Sequence, residues 1–344
     1  MSVIINHSPA SSGKYIGSPS ITILRDGTYL ASHDFFGMGT PYTTAAATLV
    51  FSSWDKGKTW EKISEIQPLF WGKLFTLNNK LFIIGTRHEY GDILIRKSDD
   101  GGRSWTAAET SVSGLIKKGT FHCAPCRVLI HNGIIWRAFE RFTGGKWGNF
   151  NSFVISAPIE ANLLNSKSWK FSDEIPKQRN TEWLEGNVIL DRNNKIVNVL
   201  RVNEKTIGKD KAAIVHICSD GKKTYFNSGK DMIDMPGGGS KFTIHFNKKF
   251  KRYFAIVNKQ TNPAAYRNNL VLISSENLRD WKIEKQIFYH PDEKKHGWQY
   301  VDWMFESEEE IIFVSRTAGD DEYGGAHRAH DANYLIFDRI NIKD

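Results

Sequence analysis

Histidine and arginine residues recur at matching points along this chain, near the ends of segments that read as β-strands. His33, His88, Arg137, Arg201 and Arg316 all stand at such points. A histidine can exchange a proton near neutral pH, and an arginine binds a carboxylate through two parallel hydrogen bonds. Any one of these residues alone would more often be structural. Their recurrence predicts a shared site that takes an acidic substrate.

Other polar residues form short clusters at similar points, where no turn or packing requirement explains their type. In a repeat protein, residues in such positions typically line a shared cavity. We therefore expect substrate binding by Arg87, Tyr90, Arg137, Glu185, Asn187, Lys241, His245, Asn268, Tyr300, Arg316, His327 and His330.

Two short motifs indicate which elements position these residues. Residues 53–60 and 98–105 both fit the pattern S-x-D-x-G-x-x-W, and residues 274–281 keep a degenerate form of it. The Asp caps backbone N–H groups in a tight turn, the Gly takes a positive φ, and the Trp covers the turn. A hairpin unit of this size cannot bury its own face, so copies must stack against each other.

The rest of the chain has the same organisation. Strand-like segments separated by turn residues extend over its length, helix patterns are almost absent, and aromatic residues recur at the Trp position of the motif. We predict an all-β, single-domain β-propeller over residues 1–344, with six four-stranded blades and seven as the alternative count. The N-terminal segment or the last strand, residues 334–340, should close the ring.

Composition narrows the function classes. The 344 residues include 46 Lys and Arg against 38 Asp and Glu, a net charge of +8. The excess is scattered, with no basic helix, so we expect an acidic polysaccharide or oligosaccharide as partner and no nucleic acid. No apolar run approaches the roughly 18 residues of a membrane span. Residues 2–20 lack the apolar core of a signal peptide. We expect a periplasmic or secreted protein with its signal removed, rather than a cytoplasmic one, and a monomer.

Metal and redox chemistry receive little support. Cys123 and Cys126 form a single C-x-x-C pair in a strand-like segment, which favours buried free thiols. His327 and His330 could hold a structural or channel metal ion only if a loop brought them together, because positions i and i+3 do not share a strand face. Packing of polar loop residues is the simpler interpretation, and we expect no required cofactor.

The S-x-D-x-G-x-x-W motif resembles the Asp-box of sialidase-type β-propellers. Five further segments resemble a bacterial branch of these propellers that attacks the L-rhamnose-α-1,4-D-glucuronate cap of arabinogalactan and gum arabic. They are residues 32–37 (SHDFFG), 121–125 (FHCAP), 182–187 (EWLEGN), 299–303 (QYVDW) and 324–334. Members of that branch are described as rhamnose–glucuronate lyases and as α-L-rhamnosidases. The resemblance implies an exo-acting polysaccharide lyase or glycoside hydrolase, most directly one that releases terminal rhamnose by β-elimination.

The same resemblance implies roles for individual residues. Arg201 matches the cation that neutralises the uronate carboxylate, and His88 with His122 matches the histidine pair that moves protons. Glu185 stands sixteen residues before Arg201, where such lyases often carry a tyrosine. A relative described as a rhamnosidase relies instead on a histidine that resembles His33. The candidate catalytic residues are thus His88, His122, Arg201 and His33.

Two other functions fit the same chain. An exo-sialidase needs an arginine triad, a Tyr–Glu nucleophile pair and an acidic Asp. Arg87, Arg201 and Arg316 could supply the triad, although the early (F/Y)-R-I-P motif is absent. A non-catalytic glycan-binding propeller would keep aromatic residues in its funnel and lack proton-transfer groups. A lyase or rhamnosidase requires His33, or His88 with His122, to face one cavity.

Overall fold

The computed structural model describes residues 2–178, 181–204, 210–260 and 267–343. In this part of the chain nearly all regular structure is β-strand, arranged as six small antiparallel sheets. The sheets form a six-bladed β-propeller, so the predicted all-β fold and the count of six blades are confirmed. None of the described helices is long and apolar enough to cross a membrane.

The first strand, β1 (Val3–His7), belongs to the last blade, and blade one begins after it. In blades one and three the inner strand is split into two short pieces, and the remaining strands run outward in chain order. The strands of blade one are β2 (Tyr15–Ile16), β3 (Ser20–Ile23), β4 (Tyr29–Phe36), β5 (Thr48–Ser53) and β6 (Glu61–Ile66); those of blade two are β7 (Phe70–Leu77), β8 (Lys80–Thr86), β9 (Ile93–Ser98) and β10 (Leu115–Lys117); those of blade three are β11 (Phe121–His122), β12 (Leu129–His131), β13 (Ile134–Phe142), β14 (Phe150–Pro158), β15 (Lys170–Phe171) and β16 (Ile175–Pro176).

The second half of the ring repeats this plan. Two 3-10 helices, Ala10–Ser12 and Ser166–Ser168, complete the regular elements of the described residues. The strands of blade four are β17 (Thr181–Leu190), β18 (Ile196–Glu204), β19 (Lys211–Ile217), β20 (Thr224–Tyr225) and β21 (Met232–Asp234); those of blade five are β22 (Ile244–Asn247), β23 (Arg252–Asn258), β24 (Asn269–Ser275) and β25 (Trp281–Tyr289); those of blade six are β26 (Gly297–Phe305), β27 (Glu310–Ala318) and β28 (Tyr334–Asn341), with β1 as the outer strand.

The N-terminal strand closes the ring. β1 pairs antiparallel with β28, with Val3 opposite Phe337 and His7 opposite Tyr334. The inner strand β3 lies against β7 on one side and β26 on the other, so the first and last blades are neighbours. Apolar side chains fill the space between blades, and Trp136, Trp183 and Trp303 are among the largest that are fully buried. This arrangement leaves the inner strand ends around one axis.

The Asp-boxes form the turns that the motif predicts. In the second box the Ser98 hydroxyl accepts the Gly102 N–H at 2.8 Å, Asp100 accepts the Ser104 N–H at 2.9 Å, and the Trp105 indole donates to the Gly102 carbonyl at 3.1 Å. These turns follow the strands β5 and β9, which run away from the mouth of the ring that carries the candidate residues.

The degenerate third box differs by one position from its predicted alignment. Ser275, rather than Ser274, contacts the turn through the N–H of Asn277, whose side chain accepts the N–H groups of Arg279 and Asp280. The Trp281 indole still donates to the turn carbonyl, that of Leu278, at 3.0 Å. The turn is therefore one residue shorter, and the tryptophan keeps its predicted role.

Candidate active site

A cavity of about 360 Å³ opens at one mouth of the ring and receives residues from all six blades. It is lined by Gly17, Ser18, Asp34, Phe36, Tyr42, Phe70, Trp71, Glu89, His122, Trp147, Arg201, Arg267, Tyr300, Arg316 and His330. A larger groove of about 1000 Å³ lies between the hairpins of blades one and two and contains none of the candidate residues. The chemistry of the chain is therefore concentrated in the smaller cavity.

Three inner strands are bulged where they reach this cavity. Pairing shifts register at Trp71 in β7, at Glu185 in β17 and at Tyr300 in β26. These residues have φ values of 53°, 57° and 53°, in the left-handed region that non-glycine residues rarely adopt. A bulge re-aims a side chain, and backbone strain of this kind clusters at functional sites. The bulges thus turn three large side chains toward the floor of the cavity.

Glu185 and Arg201 form a buried ion pair at that floor. Arg201 Nη1 donates to Glu185 Oε2 at 3.0 Å, and Arg201 Nε donates to the Gly239 carbonyl at 2.9 Å. Burial opposes the charge of Glu185, but Arg201 outweighs it and lowers the pKa of the carboxyl. The same pairing raises the pKa of Arg201. Glu185 Oε1 is buried without a hydrogen bond, so an ionised carboxylate keeps one free oxygen there.

Arg267 and Arg316 carry charge on the cavity wall without a carboxylate partner. Arg267 Nη1 and Arg316 Nη2 both donate to the neutral Gln299 Oε1, and Arg316 Nη2 also donates to the His330 carbonyl at 3.0 Å. Within the described ranges neither guanidinium makes an ion pair. Burial lowers the pKa of both groups, that of Arg316 to about 10.

Tyr300 lies between these charges. The Arg316 guanidinium sits 4.6 Å and the Arg267 guanidinium 5.4 Å from the centre of its ring. Its hydroxyl is beside the Glu185 carboxylate and adds to the stabilisation of that charge, although no hydrogen bond of standard geometry forms at Oε1. The phenol oxygen therefore lies next to a carboxylate that could accept its proton during a reaction.

His122 reaches the cavity from the split inner strand of blade three. Its Nδ1 is 2.9 Å from Glu140 Oε2, and Glu140 Oε1 accepts the Gly186 N–H at 3.2 Å. The ring is held between Phe150 and the edge of Trp71, at centroid distances of 4.6 Å and 4.4 Å. The carboxylate orients the imidazole, as in a catalytic base with a supporting acid.

Two further carboxyl groups line the cavity. Asp34 accepts backbone N–H groups at both oxygens, from Ser18 at 2.7 Å and from Trp71 at 2.6 Å, while burial raises its pKa to about 7. Glu89 follows β8, and burial raises its pKa as well. Its carboxylate makes no hydrogen bond within the described part of the chain.

His33 lies outside the cavity, contrary to the catalytic role predicted for it. His33 is fully buried, with Nε2 at 2.8 Å from the Asn6 amide and Nδ1 at 2.8 Å from the Asp34 carbonyl. Its ring stacks on Phe51, and burial lowers its pKa to about 4. These contacts assign His33 to the core between blades one and six.

The residues predicted around His88 lie on the correct face but beside the cavity. His88 Nδ1 contacts the Glu89 carbonyl at 2.8 Å, and Arg87 pairs with Asp92 at 3.3 Å. Tyr90 stacks on Phe142 at 4.3 Å, and its ring centre lies 6.4 Å from that of His122. His88 and His122 therefore share one face of the ring, but only His122 lines the cavity.

Several predicted substrate-binding residues are instead structural. Arg137 and Asn187 donate to the buried carbonyls of Ala124 and Phe242, and Asn268 donates to that of His290. His245 is buried against Trp303 with a pKa well below its usual value because of that burial. His327 is 69% exposed beside Asp331 and does not line the cavity.

Below the cavity, polar side chains close the axis of the ring. Lys73 of β7 pairs with Asp302 of β26, which also accepts the Ile21 N–H at 2.8 Å. Lys241 Nζ donates to Thr243 Oγ1 at 2.9 Å and to the Val301 carbonyl at 2.7 Å. Lys241 thus belongs to this plug. Among the described residues no group of three or more His, Cys, Asp or Glu side chains is arranged to hold a metal.

Sequence reasoning missed part of the lining. Arg267, Asp34 and Glu89 stood within polar clusters but were not singled out, and Trp147 gave no signal beyond its place between glycines. Of the predicted residues, His122, Arg201, Tyr300, Arg316 and His330 line the cavity, and Glu185 lies directly behind Arg201 and Tyr300.

Comparison with known proteins gives fold relatives only. No protein-family model matches the chain. No curated protein matches it. Among solved structures, it is similar to the α-L-arabinofuranosidase Arb93A of Fusarium graminearum, with a TM-score of 0.65, 13% identity, and coverage of 100% of this chain and 98% of that one. It is also similar to the Hadza microbial sialidase Hz136, with a TM-score of 0.67, 12% identity, and coverage of 100% and 69%.

A third similar structure is the α-L-arabinanase of Penicillium chrysogenum in complex with arabinobiose, with a TM-score of 0.61, 13% identity, and coverage of 100% and 98%. At these identities the likeness concerns the fold. This chain therefore has the sialidase-like, six-bladed β-propeller fold that these glycosidases share.

Proposed function

We propose that this protein is an exo-acting carbohydrate-active enzyme whose cavity binds the carboxylate of a terminal acidic sugar. The observation that carries the proposal is the pair Arg267 and Arg316, a partly buried and a buried guanidinium whose shared acceptor is the neutral Gln299 oxygen. Buried charges without a counter-ion are costly. A bound carboxylate would supply the missing charge and accept paired hydrogen bonds from both groups.

The geometry supports hydrolysis through a tyrosine nucleophile, as sialidases use. In this scheme the Tyr300 oxygen attacks the anomeric carbon, and its proton passes to the free Oε1 of Glu185. The bond from the anomeric carbon to the leaving oxygen breaks, and that oxygen takes a proton from Glu89. Water then attacks the anomeric carbon and gives a proton to Glu89, while the bond to the Tyr300 oxygen breaks and Glu185 returns its proton to that oxygen. Arg201 keeps Glu185 ionised and ready to act as base.

Glu89 is assigned as the acid because its carboxylate is unbonded and its raised pKa favours the protonated form. Burial raises the pKa of Asp34 to about 7, but both its oxygens are engaged by backbone N–H donors. A proton on Asp34 would displace one of these donors. We therefore give Asp34 the role of fixing the bulge at Trp71.

β-Elimination at a rhamnose–glucuronate linkage is the second candidate, and His122 is the observation that favours it. His122 lines the cavity with Arg201 and is oriented by Glu140. In this scheme an arginine neutralises the uronate carboxylate, His122 removes the C5 proton, and the C4–O bond breaks as rhamnose leaves. Tyr300 would donate the proton to the departing oxygen.

Product analysis separates these functions. The protein is incubated with gum arabic and, separately, with sialyllactose; free rhamnose, free sialic acid and the ultraviolet absorbance of an unsaturated uronate are followed. Sialic acid release, or rhamnose release without absorbance, indicates hydrolysis; rising absorbance with rhamnose indicates elimination. Polymer binding with no product would favour a non-catalytic glycan-binding propeller. Neither binding nor product would overturn the proposal.

A further inference from the structure

We propose that Trp147 forms a second subsite at the mouth of the cavity, which binds the neutral sugar attached to the acidic one. This inference rests on the proposed function and identifies the leaving group as a sugar ring. The indole lines the same cavity as the three arginines and is 45% exposed. Trp54 and Trp147 are the two exposed tryptophans of the described chain, and of these only Trp147 lies at the cavity.

The cavity has a positively charged half and an aromatic half, and this division indicates where each of the two sugars would bind. Arg201, Arg267 and Arg316 come from blades four, five and six. Blades one to three supply most of the aromatic lining, namely Phe36, Tyr42, Phe70, Trp71 and Trp147. Glu89 lies in the same half of the cavity. A carboxylate is drawn to the arginine half. The leaving oxygen then points to the half that holds the proton donor and Trp147.

The size of the cavity fits this division. Its volume of about 360 Å³ is at the lower end of the roughly 300–1000 Å³ typical of small-molecule pockets. One sugar ring inside leaves the next ring at the mouth, where Trp147 is exposed. Aromatic rings present a flat apolar face with little conformational freedom, and the C–H face of a pyranose matches it.

The loop that carries Trp147 is held in place by its own hydrogen bonds. Thr143 N–H donates to the Asn149 carbonyl at 2.9 Å, and the Asn149 amide donates to the Gly144 carbonyl at 2.8 Å. Gly148 has φ 92° and packs so closely on Glu182 that an added Cβ would lie 2.3 Å from its carboxyl carbon. The indole is therefore presented by a defined turn between β13 and β14.

Calorimetric titration tests the subsite in a Tyr300→Phe background, which prevents turnover. Two pairs of ligands are compared, each a monosaccharide and a longer glycan that contains it: sialic acid with sialyllactose, and D-glucuronate with glucuronosyl-galactose. We expect each longer ligand of the preferred pair to bind more tightly than its monosaccharide. Trp147→Ala should remove this gain, about ten-fold, and leave monosaccharide affinity unchanged. Trp147→Phe should retain part of the gain.

Trp54→Ala is the matched control, because Trp54 is also an exposed tryptophan, 54% exposed, but follows β5 at the opposite face of the ring. It should leave both affinities unchanged. A retained gain in Trp147→Ala, with normal monosaccharide binding, overturns the subsite alone. Absence of monosaccharide binding in every variant, including one with Tyr300 intact, overturns the proposed function instead.

Discussion

Glu185 and Tyr300 occupy the same structural position in blades four and six. Each is the positive-φ residue of a bulge in the inner strand, and the side chains meet at the cavity floor although the two strands are not neighbours. Trp71 holds the same position in blade two. The same bulge thus recurs on alternate blades. It carries an indole in blade two, a carboxylate in blade four and a phenol in blade six.

The first prediction concerns the charge of the arginine half. Arg316→Met should weaken binding of a carboxylated monosaccharide by roughly ten- to a hundred-fold, because a charge-assisted hydrogen-bond donor is lost. Calorimetry with sialic acid and D-glucuronate measures this. Arg87→Met, which removes an arginine outside the cavity, should bind as the wild type does. Equal affinity in both variants would contradict the carboxylate assignment.

The second prediction concerns the nucleophile pair. Tyr300→Phe and Glu185→Gln should each lower kcat by at least about a hundred-fold, since each removes a group that reacts or accepts a proton. Tyr90→Phe alters a neighbouring tyrosine that stacks on Phe142 and should retain activity. If His122→Gln abolished activity while Glu185→Gln kept it, elimination would replace hydrolysis as the mechanism.

The third prediction concerns the proton donor. Glu89→Gln should strongly reduce kcat/KM for a natural glycan but largely spare kcat/KM for a substrate whose leaving group is an acidic phenol, because the first step then needs no proton donor. Asp34→Asn should not show this selectivity. Steady-state kinetics with both substrate types provides the comparison, and equal losses on both would remove Glu89 from the acid role.

The fourth prediction concerns His33 and pH. Its folded pKa of about 4 is below the roughly 6.5 of an unfolded histidine, so the unfolded chain binds more protons between these values. Stability is full above about pH 6.5 and is lost as pH falls toward 4, by up to about 3 kcal/mol. Urea unfolding should show a weaker loss from pH 7 to pH 5 in His33→Gln.

The same variant tests the assignment of His33 to the core. Because the ring is buried away from the cavity, the folded fraction of His33→Gln should retain the wild-type kcat and KM near pH 7. A loss of two orders of magnitude in folded protein would return His33 to the catalytic residues.

The fifth prediction concerns the plug. Asp302→Asn removes the only ion-pair partner of Lys73 within the described residues, leaving a buried charge uncompensated. We expect the free energy of unfolding to fall by about 3–5 kcal/mol. Asp99→Asn, which alters an exposed pair with Lys97, should change it by less than about 1 kcal/mol. Similar urea midpoints for the two variants would show that the plug does not hold the ring.

The fold could be predicted because its signal is local and repeated. An Asp-box is a self-contained turn, and its spacing reports the blade directly. The count of six blades followed from it, whereas the sequence left the closure open between the N-terminal segment and the last strand, which the structure pairs with each other. The third box was displaced by one residue because Ser274 and Ser275 are equally good candidates until the turn length is known.

The site could be predicted only in part. Strand ends correctly located Arg201 and Arg316, but a strand end does not decide which of two adjacent residues faces the axis. Of His33 and Asp34, which alternate on β4, the structure turns Asp34 to the cavity. Arg267 follows a segment without a strand pattern. The bulges were also hidden, since Trp71 and Tyr300 are residues that seldom take positive φ.

The pairing of β1 with β28 has a consequence for how the protein is made. Among the described strands β1 is synthesised first, and its partner β28 follows more than 320 residues later. Until β28 has been made, β1 has no strand to pair with and blade six is incomplete. Contacts of such sequence separation form slowly. The nascent chain therefore carries an unpaired β1 until β28 has been made, which exposes it to pairing with another chain.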